Sequence, residues 1–569
     1  AANLNRSLFF TTQLLELGIP VVVALNKSDL TEKKGNIINT GLLSQHLNCP
    51  IVETVATKSK SNGLELLISE CVRHIEIPHK QVAPRIEGLK NATNEKQYFV
   101  ADKKRFAFVN EVIADVERKK VSAKTQTKQD KIDRFVAHKW LGIPIFMAVI
   151  YFIFSVSQER VGPSIADYLV GVLEGFQGQL ATLFENANPF LSALLIDGII
   201  GGVIAVVGFL PLIMVMFFLM ALFEDCGYMA RVAVVMDRFF KKIGLSGKSI
   251  IPMIIGTACG IPGVMASRTI KNERQRRTTA MLTPFMPCGA KLPIIALFAG
   301  VFFAGNAWIA TSMYFLAIIV IIISAVVIRK ITGDTSESYF ILELPEYRVP
   351  SVKRAFISMM SRAKAFIIKA TTIILICNAL VQIMQTFTWS FTVAENASDS
   401  ILASVASPFA LLFIPLGFGI WQFAAAAITG FIAKENVVGT LAVVFGISNF
   451  INVEEFELIN KSGAASSVEE AFAITSVAAL SYLVFNLFTP PCFACIGAVR
   501  AEVNSTKWTF GAIGFQFAVG YILSFMVYQI GTLITLNELG AGFFPGLVAV
   551  IIMCGFIGYL MKKGSSLKA

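Results

Sequence analysis

The sequence has little charge and almost no histidine. Only 15% of its 569 residues are Asp, Glu, Lys or Arg while 55% are hydrophobic, which excludes a soluble single-domain protein. The four histidines, His46, His74, His79 and His138, all precede the apolar spans, so imidazole is not an intramembrane ligand. Nine cysteines without a dense secreted framework argue for free thiols, and no structural disulfides are expected. No G-x-x-x-x-G-K-S/T loop precedes Pro20, and the near match Gly244–Ser249 has Lys242 where the first glycine belongs. No signal-peptide pattern opens the chain: Ala1 leads into Leu4-Asn5-Arg6-Ser7-Leu8, which reads as an amphipathic helix of a domain already begun.

What is present is apolar sequence with unusual punctuation. Thr283-Pro284-Phe285-Met286-Pro287-Cys288 and Thr489-Pro490-Pro491-Cys492 each interrupt a hydrophobic run at its centre. Proline removes a donor and frees a carbonyl, and in lipid such groups are tolerated only where protein or a watery cavity satisfies them. Broken helices at corresponding places in two halves point to a transport site. Segment 249–267, with Gly256, Cys259, Gly260, Pro262 and Gly263, reads as re-entrant or broken, and Gly430 to Gly439 reads as its counterpart.

Spans of about 20 mostly apolar residues are expected near 141–158, 197–223, 281–303, 308–328, 366–388, 407–432, 436–449, 473–499, 510–531 and 541–561. The net charge of +11 comes from basic residues such as Arg231, Lys241, Arg274, Arg329, Lys353 and Lys562 in short loops on one face. That places this face and both termini in the cytoplasm and makes nucleic acid an unneeded partner; Glu159, Asp167, Glu174 and Asp399 fall in the opposite loops. The basic stretch Arg118 to Lys131 reads as a solvated linker, with contact to anionic lipid as the alternative.

The first residues have a different character. Pro20 to Leu25 is a short β-branched run ending in Asn26-Lys27-Ser28-Asp29, and Pro50 to Val55 ends in Ala56-Thr57-Lys58, with a helix from Leu64 to Val72. Ligands bind beyond the carboxyl ends of such strands. The carboxylate of Asp29 can accept two hydrogen bonds from guanine, while the stem of Lys27 lies along the base. This resembles the back half of a Ras-like GTPase domain, with its N-K-x-D motif and a shorter motif in Ala56, Thr57 and Lys58. The ordinary alternative is a strand end with a solvated turn.

Phe223-Glu224-Asp225-Cys226-Gly227-Tyr228-Met229-Ala230-Arg231, Gly256 to Thr269, Pro287-Cys288-Gly289-Ala290-Lys291-Leu292-Pro293 and Ala433-Lys434-Glu435-Asn436-Val437-Val438-Gly439-Thr440 closely resemble the ferrous iron transport protein B family, and the resemblance covers essentially the whole chain. It implies a mainly α-helical polytopic protein of the bacterial inner membrane with internal gate-type repeats, preceded by a partial α/β Ras-like GTPase domain and a small helical domain. The expected division is 1–82 for the GTPase fragment, 83–136 for the helical domain and linker, and 137–569 for the permease, with repeats at about 200–330 and 407–531. The implied cargo is Fe²⁺, gated by GTP with Mg²⁺; the magnesium and phosphate motifs are absent from these residues. Small SH3-like accessory proteins and homo-oligomers are also implied by the family.

Fe²⁺ needs thiol or carboxylate ligands weak enough to release it. Cys259, Cys288 and Cys492 stand at the breaks. A lone cysteine in an apolar span is ordinarily a small buried hydrophobe; recurrence at breaks is what points to metal. Glu224, Asp225 and Glu435 join them because charges within a membrane are expensive, with simple pairing of Glu224 or Asp225 to Arg231 and of Glu435 to Lys434 as the alternative. Cys495 shares a helical face with Cys492, where packing explains it equally well. An anchored GTPase switch has no use for thiols at repeated breaks. An organic-solute carrier would call for aromatic and amide ligands instead.

Overall fold

The computed structural model describes residues 4–33, 37–56, 62–74, 95–118, 128–138, 140–183, 200–303, 307–332, 347–368, 372–394, 396–446, 451–452, 457–458 and 464–566. It divides into two compact units, Ala1–Lys128 and Gln129–Ala569.

In the first unit α1 (Leu4–Leu15) leads to β1 (Val23–Asn26), α2 (Ser28–Lys33), β2 (Ile37–Ile38), α3 (Thr40–Leu47), β3 (Ile51–Thr54) and α4 (Leu64–Arg73). Then come α5 (Glu95–Val116) and β4 (Glu117–Arg118). β1 and β3 pair in parallel, Val23 opposite Ile51 and Asn26 opposite Thr54, as expected of the two strand-like runs. Val109, Val112 and Val116, at helical spacing on α5, enter the core formed by Leu4, Leu8, Leu15, Leu25, Leu43 and Leu47. Arg105 of α5, itself buried, forks onto Glu16 through Nε at 2.9 Å and Nη2 at 2.6 Å. That hydrogen-bonded pair holds its guanidinium above the usual range. Burial pushes the Cys49 thiol of the same core up to about 11.

The second unit is helical. It begins with α6 (Lys128–Val136), α7 (Gly142–Phe154), α8 (Val161–Leu183), α9 (Gly201–Asp225) and α10 (Tyr228–Lys242). The first set of breaks lies among α11 (Ile250–Ala258), α12 (Gly260–Ala266), α13 (Glu273–Leu282) and α14 (Leu292–Phe302), followed by α15 (Ala307–Thr332), α16 (Val352–Phe366) and α17 (Thr372–Thr386). The second set lies among α18 (Ile401–Phe413), α19 (Trp421–Ile432), α20 (Asn436–Val444), α21 (Ala464–Phe472), α22 (Ser476–Phe488) and α23 (Phe493–Val503), ahead of the long α24 (Thr506–Leu536) and α25 (Phe543–Ser566).

The described residues hold six helices long and apolar enough to cross a membrane, or up to eight if two bent pairs each count as one span. Of the ten expected crossings, those near 197–223, 366–388 and 436–449 include residues outside the described ones. Within the expected span at 436–449 the described residues form the nine-residue α20, too short to cross, followed by Gly446 at φ 68°. α9 continued by α10 bends by 79°, and α18 continued by α19 by 103°. The acidic loop expected after residue 158 is also corrected. Gly142–Leu180 is one 39-residue helix that passes through a π turn at Ser155–Arg160, so Glu159, Asp167 and Glu174 are helical. A π turn absorbs an extra residue without ending the helix, and Pro163 just past it did not stop the chain.

Inside lipid, helices associate through close packing and hydrogen bonds rather than water exclusion. The run Ala424 to Ala427 on α19 is buried throughout and lets its neighbours approach. Phe298, Phe418, Phe423, Phe472 and Tyr482 form an aromatic cluster of tilted and stacked rings between the two sets of broken helices. Ser481 Oγ donates to the Leu416 carbonyl at 2.8 Å and lies 2.7 Å from Ser524 Oγ, fastening α22 to α24.

Candidate functional site

The backbone breaks twice in the same way. α11 stops at Ala258, Cys259 is extended at φ −148° and ψ 130°, and α12 starts at Gly260. α19 stops at Ile432, Ala433 is extended at φ −146° and ψ 128°, and α20 starts at Asn436. Glycine is required where the two limbs of each break meet. A Cβ on Gly263 would lie 2.6 Å from the Gly256 Cα, and one on Gly430 would lie 2.6 Å from the Val437 side chain. The spacing Gly256, Cys259, Gly263 therefore matches Gly430, Ala433, Val437.

The proline breaks follow. After α13, Thr283–Phe285 form a 3₁₀ turn, Cys288 is extended, and Gly289–Lys291 form another 3₁₀ turn into α14. After α22, Thr489 is extended at φ −68° and ψ 162°, and Cys492, at φ −55° and ψ 154°, is the residue before α23. Each break ends and begins helices, whose terminal backbone groups lack intrahelical partners.

These breaks converge. Cys259 lies within electrostatic reach of Cys288, Cys492 and Glu435, and Cys492 of Glu435 and Lys434. A Cβ on Gly260 would come within 2.9 Å of Cys495 Sγ, so the first break abuts the helix that follows the last one. All nine cysteines are free; Cys259, Cys288 and Cys492 are half-buried, whereas Cys495 is buried. Cys226 and Cys377 are half-buried as well, so it is position at the breaks that sets the three thiols apart. Glu435 is half-buried beside buried Lys434. Among the described residues no three His, Cys, Asp or Glu side chains are gathered closely enough to hold a metal ion, so this conformation offers a path of spaced ligands rather than a closed cage.

Glu224 and Asp225 stand elsewhere, at the bend between α9 and α10, and face α16: Glu224 accepts from Arg362 at 3.1 Å, and Asp225 lies 3.9 Å from Arg354. Arg231, 1% exposed, pairs with neither. It reaches Asp133 at 2.9 Å, donates to the Gly227 carbonyl at 2.9 Å, and lies 3.8 Å from the centre of the Tyr347 ring.

Two ammoniums join this site to which the sequence reading assigns no ligand role, Lys434 being considered there only as a partner of Glu435. Lys291 and Lys434 are 2% and 3% exposed. Lys434 donates to Thr489 Oγ1 at 3.3 Å. Their signal was a lysine within an otherwise apolar run, broken by prolines around Lys291 and bounded by glycines around Lys434.

At the nucleotide fragment, Asn26 Oδ1 accepts from the N–H of Lys27 at 2.8 Å and of Ala56 at 3.2 Å, tying the two strand ends together. Lys27 adopts a left-handed φ of 64°, and Asp29 lies in the first turn of α2. Thr57 and Lys58 lie outside the described residues.

A polytopic helical bundle with paired broken helices, fronted by a fragment of a nucleotide-binding α/β fold, defines a gate-type membrane transporter. Residues 1–70 match a family model described as ferrous iron transport protein B, residues 310–362 match its C terminus, and residues 206–302 and 367–506 match one described as Gate, nucleoside recognition. The chain is 33% identical to the Fe(2+) transporter FeoB of Staphylococcus aureus strain COL, covering 94% of this chain and 87% of that protein. It is 30% identical to the Fe(2+) transporter FeoB of Escherichia coli strain K12, covering 94% and 80%. No solved structure matches. The chain belongs to the ferrous iron transport protein B family, and its GTPase-type first segment is one that binds guanine nucleotide.

Proposed function

We propose that this chain carries Fe²⁺ across the bacterial inner membrane along the two sets of broken helices, coupled to or gated by GTP in the complete cytoplasmic GTPase domain, of which the first unit holds a part. The observation that carries the reading is the convergence of Cys259, Cys288 and Cys492 with Glu435 at backbone breaks of both repeats. Thiolates and one carboxylate suit a borderline-soft dication, and freed carbonyls supplement them without trapping it. The curated relatives carry the name Fe(2+) transporter, which agrees with this ligand set.

Asn26, Lys27 and Asp29, with Ala56, Thr57 and Lys58, would read the guanine base. Mg²⁺ would accompany the phosphates on motifs that these residues do not contain. The division at 1–82, 83–136 and 137–569 separates the nucleotide, coupling and permease functions. Glu224 and Asp225, paired with arginines of α16, would serve as ligands at one mouth of the path. The positive-inside distribution supports cytoplasmic termini in a bacterial inner membrane. Lipid, a small SH3-like accessory protein and further copies of the chain would be its partners.

The test is uptake of Fe²⁺, Mn²⁺ and Zn²⁺ under reducing conditions into liposomes carrying the chain, with and without GTP. Fe²⁺ uptake that falls in Cys259→Ser and Cys288→Ser supports the reading. Uptake indifferent to both substitutions removes the thiols from the path, and absence of metal uptake overturns it.

A further inference from the structure

The prolines that break the helices leave particular carbonyls without their ordinary partners. In α22 the Leu487 carbonyl would accept from the N–H four residues on, but that residue is Pro491. At the first break the Pro284 carbonyl lies in a 3₁₀ turn whose partner three residues on is Pro287, again without an N–H.

One side chain takes both. Lys291 Nζ donates to the Pro284 carbonyl at 2.9 Å and to the Leu487 carbonyl at 2.7 Å. One of these carbonyls belongs to each repeat, so the ammonium bridges the two proline breaks. It stands within electrostatic reach of Cys288, Cys492 and Cys495, and of the second ammonium, Lys434.

Backbone carbonyls aimed into a dry interior are what replaces the hydration shell of a permeating cation. We infer that Lys291 is the resident cation of the path: its ammonium fills the carbonyl pair that joins the two proline breaks, and Fe²⁺ passes only when it has left them. This deepens the transport reading above and rests on it. Positive charges so close in a low dielectric exclude one another, and a dication feels twice the repulsion of a monocation. Because the two carbonyls belong to different repeats, releasing the ammonium requires one repeat to move against the other, the kind of displacement that opens broken-helix transporters. The Pro-Cys punctuation then has two products, a thiol for the metal and a carbonyl for the ammonium that keeps the metal out.

The experiment measures nucleotide-free Fe²⁺ influx under reducing conditions into liposomes carrying the chain. Lys291→Met keeps the length and removes the charge; influx is expected to rise about tenfold or more, the size of losing one charge-assisted hydrogen bond. Lys291→Arg keeps the charge and is expected to restore most of the closure. Pro491→Ala returns an N–H that competes for the Leu487 carbonyl; it should raise influx by a smaller factor with Lys291 intact, and it carries the test if the methionine variant fails to fold. Folded Lys291→Met and Pro491→Ala proteins whose influx matches the unsubstituted chain overturn the inference. So does a rise that admits choline as readily as Fe²⁺, which marks a general loss of packing. Fe²⁺ uptake that still depends on Cys259 and Cys288 while Lys291→Met changes nothing overturns this inference alone, whereas absence of Fe²⁺ uptake in every protein overturns the transport reading with it.

Discussion

The two repeats share a backbone and divide the chemistry. At the first break the extended residue is Cys259, half-buried and followed by Gly260 and Ile261; at the second it is Ala433, buried and followed by Lys434 and Glu435. Nearly identical dihedral angles thus present a thiol on one side and a charged pair on the other. A symmetric scaffold fixes where helices break, while the side chains differ: the extended residue is a thiol in the first repeat and an alanine beside Lys434 and Glu435 in the second, and each repeat has a further cysteine at its proline break, Cys288 and Cys492.

The largest expected effect breaks the scaffold itself. Gly263→Val sets a Cβ 2.6 Å from backbone that cannot give way, and thermal unfolding in detergent should show a loss of about 3 kcal/mol. Val437→Gly at the matching position only opens space and should cost about 1–2 kcal/mol. The equivalence of the two breaks fails if the second variant proves the less stable.

Making the first break resemble the second comes next. Cys259→Ala should lower Fe²⁺ uptake about tenfold, equivalent to about 1.4 kcal/mol on the barrier. Adding Ala433→Cys should not rescue it, because position 433 is buried where 259 is half-buried; rescue would mean that the side chains are interchangeable. Glu435→Gln removes the carboxylate that the first repeat lacks and should lower uptake by about threefold, the scale of a partly solvated charge. An effect as large as that of Cys259→Ala would move the centre of ligation to the second repeat.

The smallest effects are differences in thiol labelling rate. With a small maleimide at pH 8, exposed Cys71 should react first, the half-buried Cys259, Cys288 and Cys492 more slowly, and buried Cys495 last. Cys49, buried in the core of the first unit, supplies the slow reference. Cys259 reacting as slowly as Cys49 would contradict its place on a path.

Much of this architecture was legible in the sequence because it is written in local punctuation. Pro284, Pro287, Pro490 and Pro491 mark breaks wherever they fall, and Gly256 with Gly430 marks their counterparts. Span reading failed where apolar content was the only cue: Asn436–Val444 is mostly apolar yet forms only the second limb of a break, and Glu159 suggested a loop where a π turn carries the helix on. Long-range pairing was out of reach. Nothing near Arg231 in sequence points to Asp133, and nothing near Lys291 points to Leu487, 196 residues away.

The central claim is that Fe²⁺ is held by thiols drawn from both repeats, and an iron K-edge absorption spectrum of the Fe²⁺-loaded chain under reducing conditions tests it most directly. The account predicts a sulfur shell around iron that weakens when Cys259 or Cys288 is replaced by serine and again when Cys492 is. A spectrum containing only oxygen and nitrogen scatterers, unchanged by all three substitutions, would contradict it.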